Sequence, residues 1–107
     1  MTFYVKQNDT SPAMLATLQD ANGDAINLTA ATVRFHMRAV GSSQVVVDQA
    51  AVVVTPLEGL VRYDWAADDT DTIGSYQAEF EVTYADSSIE TFPNDGYIRV
   101  EIIDDIT

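Results

Sequence analysis

The chain of 107 residues is 47% hydrophobic and 21% charged, and it contains no cysteine. This length and apolar content suit one folded domain, and the missing thiols exclude disulfides, iron–sulfur clusters, thiolate metal sites and cysteine nucleophiles. Seventeen acidic residues against five basic ones give a formal net charge of −12, which makes nucleic acid and anionic membranes poor partners.

No segment of the sequence has the length of a membrane span. The longest apolar run covers residues 50–54, whereas a transmembrane helix needs about 20 apolar residues. The first residues also lack the charged and apolar stretches of a signal peptide. We therefore expect a single domain over residues 1–107 that has neither a membrane nor a nucleic acid as its partner.

Apolar and polar residues alternate along most of the chain, which is the pattern of strands that bury one face and expose the other. Antiparallel sheets show this alternation, because parallel strands buried on both faces are apolar throughout. In chain order, the strand candidates are residues 2–6, 13–19, 32–39, 44–48, 51–55, 60–65, 75–84, 89–92 and 97–103. Since the shortest can merge or be lost, we expect about seven or eight strands.

Turn-forming residues cluster between these runs, mainly glycine, proline, asparagine, aspartate and serine. The clusters lie at residues 22–24, 41–43, 56–59, 68–74, 85–88 and 93–96. They recur at intervals of roughly 10–15 residues, which suits a small sandwich or barrel.

The segment from Ser11 to Leu18 carries conflicting signals. Ser11 suits the N-cap of a helix, Pro12 suits the first helical position, and the following residues include alanine, leucine and methionine. However, a turn cluster follows directly at residues 20–24, and the surrounding pattern is all-β. We therefore favour a strand here over a short helix.

The alternating runs divide their residues between core and surface. Arg34, His36 and Arg38 occupy the polar positions of one run, and Glu79 and Glu81 occupy those of another. The apolar positions hold the large residues that we expect to be buried, namely Phe35, Tyr63, Trp65, Tyr76, Phe80 and Val82.

The stretch of residues 44–54 does not alternate. Its two groups of valines resemble a hairpin in which some valines must point away from the core, whatever the register. Outward valines on neighbouring strands would form an interface with another protein, unless loops of the same chain cover them. This candidate interface comprises Val45, Val46, Val47, Val52, Val53 and Val54.

The acidic residues invite metal-binding interpretations that the spacing does not favour. Residues 20–24 begin like a calcium loop, but such a loop has glycine at its sixth position and glutamate at its twelfth, where this chain has Ala25 and Ala31. A hairpin turn with Gly23 at positive φ is the preferred interpretation. The densest cluster, residues 68–71, is typical of a solvated loop. We predict no metal site and no cofactor.

Enzymatic activity has little support in the sequence. Glu79 and Glu81 share a strand face and could imitate a glycosidase pair, but such a pair works in a cleft rather than on a regular exposed face. The only histidine, His36, stands between two arginines, and no nucleophile elbow or phosphate-binding loop accompanies it. We therefore predict no catalytic residues.

Four segments, in this order and spacing, resemble a known family. They are residues 5–12 (VKQNDTSP), 28–38 (LTAATVRFHMR), 59–71 (GLVRYDW, then DTD) and 74–93 (GSYQAEFEVTYAD, then TFP). Together they resemble the immunoglobulin-like N-terminal domain of phage baseplate upper proteins, which also occurs in other tail and head-associated virion proteins. The first segment is similar to the family's opening K-x-G-D-T-x-P. Asn8 and Ala30 stand where the family often has glycine, and Ser87 replaces a usual turn glycine.

The resemblance implies an immunoglobulin-like antiparallel β-sandwich. In that fold, the arginines and glutamates named above would share one sheet face, because the strands that carry them are neighbours. Thr72-x-Gly74-x-Tyr76 is similar to the bend before strand F, where a tyrosine hydroxyl bonds to the backbone, and Ala78 takes the position of the second disulfide cysteine.

The resemblance also implies a non-enzymatic structural protein of a tailed bacteriophage, placed in the tail, baseplate or neck. Such a protein is made in the cytoplasm of the host bacterium and assembled into the virion. Its partners would be other virion proteins, with several copies in each particle or as a homo-oligomer. Two alternatives stay open: a capsid decoration protein, and a module that binds host-surface carbohydrate through Phe92 and Tyr97 beside the loop at residues 93–96.

Overall fold

The computed structural model describes residues 2–106. These residues form eight β-strands and a short 3₁₀ helix at Pro56–Glu58, and none of them lies in an α-helix. Accordingly, no helix in this part of the chain could cross a membrane. The strands are β1 (Thr2–Lys6), β2 (Met14–Thr17), β3 (Thr32–Ala39), β4 (Val45–Thr55), β5 (Leu60–Tyr63), β6 (Gly74–Thr83), β7 (Ile89–Phe92) and β8 (Ile98–Ile103).

The strands form two sheets that share β4. The large sheet has the order β1-β8-β6-β3-β4, and β7 pairs with the C-terminal part of β6. The small sheet consists of β2, β5 and the second half of β4. All pairs are antiparallel except β1 with β8. The predicted all-β sandwich is confirmed.

The strand order follows the immunoglobulin arrangement. In that arrangement strands C, F and G form one sheet and strands B, E and D form the other. Here β3, β6 and β8 occupy the C, F and G places, while β2, β5 and the end of β4 occupy the B, E and D places. The first half of β4 extends the large sheet beyond β3, and β1 closes its other edge.

The core lies between the two sheets and is centred on Phe35. Its ring stacks on Tyr63 with centroids 4.3 Å apart, meets Trp65 edge-on at 5.7 Å and contacts Phe80 at 5.2 Å. This cluster joins β3 and β6 of the large sheet to β5 of the small one. All six residues predicted to be buried are 5% exposed or less.

The bend before β6 has the predicted tyrosine contact. The Tyr76 hydroxyl donates a hydrogen bond to the backbone carbonyl of Thr72 at 2.6 Å. Ala78, two residues further on, is buried in the core. The sandwich is thus held by packing at the place where many immunoglobulin domains have a disulfide.

Several local predictions are confirmed. The predicted bounds of β1, β3 and β7 match the structure, and the ambiguous segment contains a strand, β2, with alternating burial. Residues 20–24 form a turn in which the Asp20 carboxylate accepts from the backbone amides of Asn22 and Asp24, with Gly23 at φ +83°. Strand β2 thus replaces the helix interpretation of residues 11–18, and residues 20–24 have the turn with Gly23 at positive φ that was preferred over a calcium loop.

The hairpin predicted at residues 44–54 is wrong, because β4 is one continuous strand of 11 residues. No glycine, proline or asparagine occurs within it to form a turn. Its first half pairs with β3 and its second half with β5, and the register shifts near both ends. The missing alternation therefore comes from a strand that changes sheets, not from two strands joined by a turn.

Four non-glycine residues of the described chain, Asn8, Ala30, Asp68 and Ser87, adopt a backbone conformation that favours glycine. Asn8, Ala30 and Ser87 have φ values of +68°, +61° and +72°. They are the three positions at which the sequence departs from the family's glycines. The chain adopts this conformation there without glycine, the residue that adopts it at least cost.

Candidate assembly surface

The exposed valines of β4 are the main sequence-predicted site. Val45 and Val46 are each 52% exposed, and Val52 and Val54 are about 40% exposed. Val47 is buried at 3%. Val53 is half-buried against the core and pairs with buried Val61. Four of the six candidate residues therefore face outward.

The outward valines do not form one strip, because β4 passes from one sheet to the other. Val52 pairs with Arg62 of β5, which in turn pairs with Leu15 of β2. Leu15 is 54% exposed, so the outer face of the small sheet carries an apolar patch around Arg62. We call Leu15, Val52 and Val54 the small-sheet patch.

Val45 belongs to the other side of the molecule. It pairs with Arg38 at the start of β4, where a register shift leaves Val46 outside the regular pairing. Val45 and Arg38 line a shallow depression of about 140 Å³ on the outer face of the large sheet. The other lining residues are His36, Met37, Gln77, Glu79 and Tyr97.

The outer face of the large sheet carries the predicted charged rows. Arg34 pairs across the sheet with Glu81, and His36 with Glu79, so these arginine and glutamate positions share one face as predicted. Arg34 donates a hydrogen bond to Asp48 of β4 at 2.8 Å. This bond is the main cause of the lowered pKa of Asp48.

His36 lies between two carboxylates. Its Nε2 is 3.2 Å from Asp48 and its Nδ1 is 3.4 Å from Glu79, and the side chain is 22% exposed. Asp48 therefore contacts both Arg34 and His36, which links β4 to β3 along this row. Arg34, His36 and the two carboxylates therefore form one network of polar contacts on the outer face of the sheet.

A second ion pair lies further along the same face. Arg99 donates to Glu101 at 2.6 Å, and Ser75 donates to the other oxygen of Glu101 at 2.6 Å. The Ser75 hydrogen bond, followed by that of Arg99, lowers the pKa of Glu101. The lowered pKa values of Asp48 and Glu101 thus both come from neighbours on the same sheet.

The other acidic candidates lie in a loop and on a sheet face. Among residues 2–106, no group of three or more acidic or histidine side chains is arranged to hold a metal ion. In the acidic cluster at residues 68–71, Asp69 accepts from the Tyr63 hydroxyl and from the Ala66 amide, which fixes the loop against the core. Glu79 and Glu81 stand on an open sheet face.

The two aromatic residues beside the loop at 93–96 do not form a surface pair. Phe92 is buried at 2%, whereas Tyr97 is 48% exposed. Arg38 covers one face of the Tyr97 ring at 5.2 Å and donates to its hydroxyl at 3.1 Å. Of the two aromatic residues considered for carbohydrate stacking, only Tyr97 is exposed, and one face of its ring is already covered by Arg38.

Leu15 is the surface residue that sequence reasoning missed. It was assigned to a strand, but its pairing with β5 depends on the sheet order. Burial alternates along β2, so Leu15 lies on the opposite face of the strand from buried Met14 and Ala16. The sequence itself shows this alternation. The sequence does not show that β2 and β4 both pair with β5, which places Leu15 and Val52 on the same sheet face.

Comparison with known families agrees with this architecture. The model of the BppU N-terminal domain, the N-terminal domain of baseplate upper proteins, matches residues 2–93. No curated protein sequence matches the chain significantly. The match covers most of the chain, including all strands from β1 to β7. The chain therefore belongs to the family of BppU N-terminal domains, found in phage baseplate proteins.

Proposed function

We propose that this domain is a non-enzymatic structural component of a tailed-phage particle, located in the baseplate or a neighbouring part of the tail or neck. It acts by binding other virion proteins in several copies per particle. The family match supports the baseplate setting. The all-β sandwich, in which Arg34 and Arg99 form surface ion pairs with Asp48 and Glu101, is compatible with a role in assembly.

The observation that carries the proposal is the set of exposed valines on β4. A strand in a small soluble domain normally turns its apolar residues inward, yet Val46, Val52 and Val54 lie at 40–52% exposure. With Leu15, two of them form the small-sheet patch on β2 and β4, the two strands that flank β5. Exposed apolar residues grouped on one sheet face are typical of protein–protein contacts.

The test is to replace outward valines by aspartate in the phage and to measure the chain in purified particles. Val46→Asp and Val54→Asp should leave the isolated domain folded, since a charge on a free strand surface is close to neutral for stability. Both should reduce incorporation strongly, because a charge in the centre of an interface is very unfavourable.

Ile73→Asp is the matched control, because Ile73 is 50% exposed but lies in the loop between β5 and β6. It should be incorporated normally. Circular dichroism and a thermal melt show whether each variant is folded. Normal incorporation of both valine variants would overturn the proposed role of β4. Val53→Asp is unsuitable, because Val53 contributes to the core.

A further inference from the structure

The charges of this acidic protein are unevenly distributed. On the outer face of the large sheet, outward strand positions hold four cations and four carboxylates. The cations are Lys6, Arg34, Arg38 and Arg99, and the carboxylates are Asp48, Glu79, Glu81 and Glu101. The rest of the chain, with Arg62 as its one basic residue, therefore carries the whole net charge of −12. We call this outer surface the neutral face.

The neutral face also exposes apolar side chains. Tyr4 is 63% exposed, Val45 is 52% exposed and Ile103 is 40% exposed. Tyr4 and Ile103 border a shallow depression with Thr2, Arg99 and Glu101, and Val45 borders the depression beside Arg38. The face thus combines balanced charge, apolar contacts and surface relief.

The size of the neutral face suits a protein interface. Five strands spaced by about 4.8 Å give a width of about 24 Å, and roughly eight residues per strand give a length of about 26 Å. The flat area is roughly 600 Å², and side-chain relief increases the accessible surface above this value. A stable interface buries roughly 800 Å² on each partner.

We propose that a second copy of this chain packs on the neutral face, with two-fold symmetry. The rest of the surface carries the net charge of −12, so two copies that approach through its acidic regions repel each other. Two neutral faces carry no net charge, so they do not repel each other. The alternating arginines and carboxylates of one copy can pair with opposite charges on the other copy. A two-fold interface needs such a self-complementary surface.

This inference rests on the proposed multi-copy role and adds a surface separate from the small-sheet patch. Its test is sedimentation equilibrium of the purified chain over a range of concentrations at physiological salt. The chain should form a reversible dimer. Arg99→Glu should weaken the dimer about tenfold or more, because the substitution gives the face a net negative charge on both copies.

Arg62→Glu is the matched control. It changes the net charge by the same amount and also removes an arginine from a surface ion pair, here with Asp64 at 2.8 Å, but it lies on the small sheet. It should leave the dimer nearly unchanged. Tyr4→Asp, at an exposed position of the neutral face, should weaken the dimer as Arg99→Glu does.

Two results would overturn the inference: a chain that stays monomeric up to about 1 mM, where even weak specific contacts are populated, or equal weakening by Arg99→Glu and Arg62→Glu. The proposed function fails separately. A chain that dimerises through this face but is absent from particles would refute the virion role and leave the dimer standing. A monomeric chain found in particles would refute the dimer and leave the virion role standing.

Discussion

Replacing Ala30 by glycine should stabilise the domain. Ala30 is exposed and has φ +61°, a left-handed conformation that costs a residue with a side chain roughly 1–2 kcal/mol. Glycine removes this strain but loses roughly 0.5–1 kcal/mol through the greater freedom of its unfolded chain. The expected net gain in the free energy of unfolding is about 0.5–1 kcal/mol, or a rise in Tm of roughly 2–6 °C for a domain of this size.

Urea denaturation measures this gain, with the slope of the transition checked for constancy. The control is Ala50→Gly, since Ala50 is also exposed but lies within β4. There glycine should cost about 0.5–1 kcal/mol. If Ala30→Gly destabilises the domain, or matches the loss at Ala50, the left-handed backbone at Ala30 is not a source of strain and the reasoning is refuted.

The other predictions concern the core, one close backbone approach and pH. Phe80→Ala should lower the free energy of unfolding by about 3–5 kcal/mol in a chemical denaturation, a large part of the stability of so small a domain; a change below about 1 kcal/mol would mean that the β3–β6 core is misplaced. Gly59→Ala should be clearly more destabilising in thermal melts than Gly23→Ala, because a Cβ at Gly59 would lie 2.6 Å from the Leu18 carbonyl oxygen whereas one at Gly23 meets nothing within 4 Å; equal melting temperatures would contradict the close approach. Burial is the main cause of raised pKa values in three tyrosines, and that of Tyr84 rises to about 12, helped by its hydrogen bond to Glu90. Since their folded pKa values exceed the ordinary value of 10.0, their contribution to stability is complete below pH 10 and is lost as the pH rises through the folded values. A phenolate absorbance titration should show three tyrosines that ionise late in the folded protein and normally in denaturant, and early ionisation of all five would contradict this; the three are Tyr63, Tyr76 and Tyr84.

Much of the fold could be predicted because local alternation and burial agree along the chain. The run from Val33 to Arg38 alternates strictly, and the structure gives it a buried and an exposed face as expected. The contact between Tyr76 and the bend at Thr72 was also foreseeable, since both belong to one short local motif.

The surface was less predictable, because it depends on which strands become neighbours. The valines of β4 contain no signal that the strand changes sheets, so they were interpreted as a hairpin. Likewise, the sequence shows arginines and carboxylates scattered over distant segments. Only the pairing of β1, β8, β6, β3 and β4 brings them onto one face with balanced charge. Long-range register, not local propensity, determines both surfaces.

The most direct test of the virion role is to locate this chain in purified phage particles by cryo-electron microscopy, with its stoichiometry measured by mass spectrometry. The account predicts a fixed number of copies per particle and density for the sandwich in the tail, baseplate or neck, with β4 against a neighbouring protein. Particles that lack the chain, or that hold it in variable amounts with β4 facing solvent, would contradict the account.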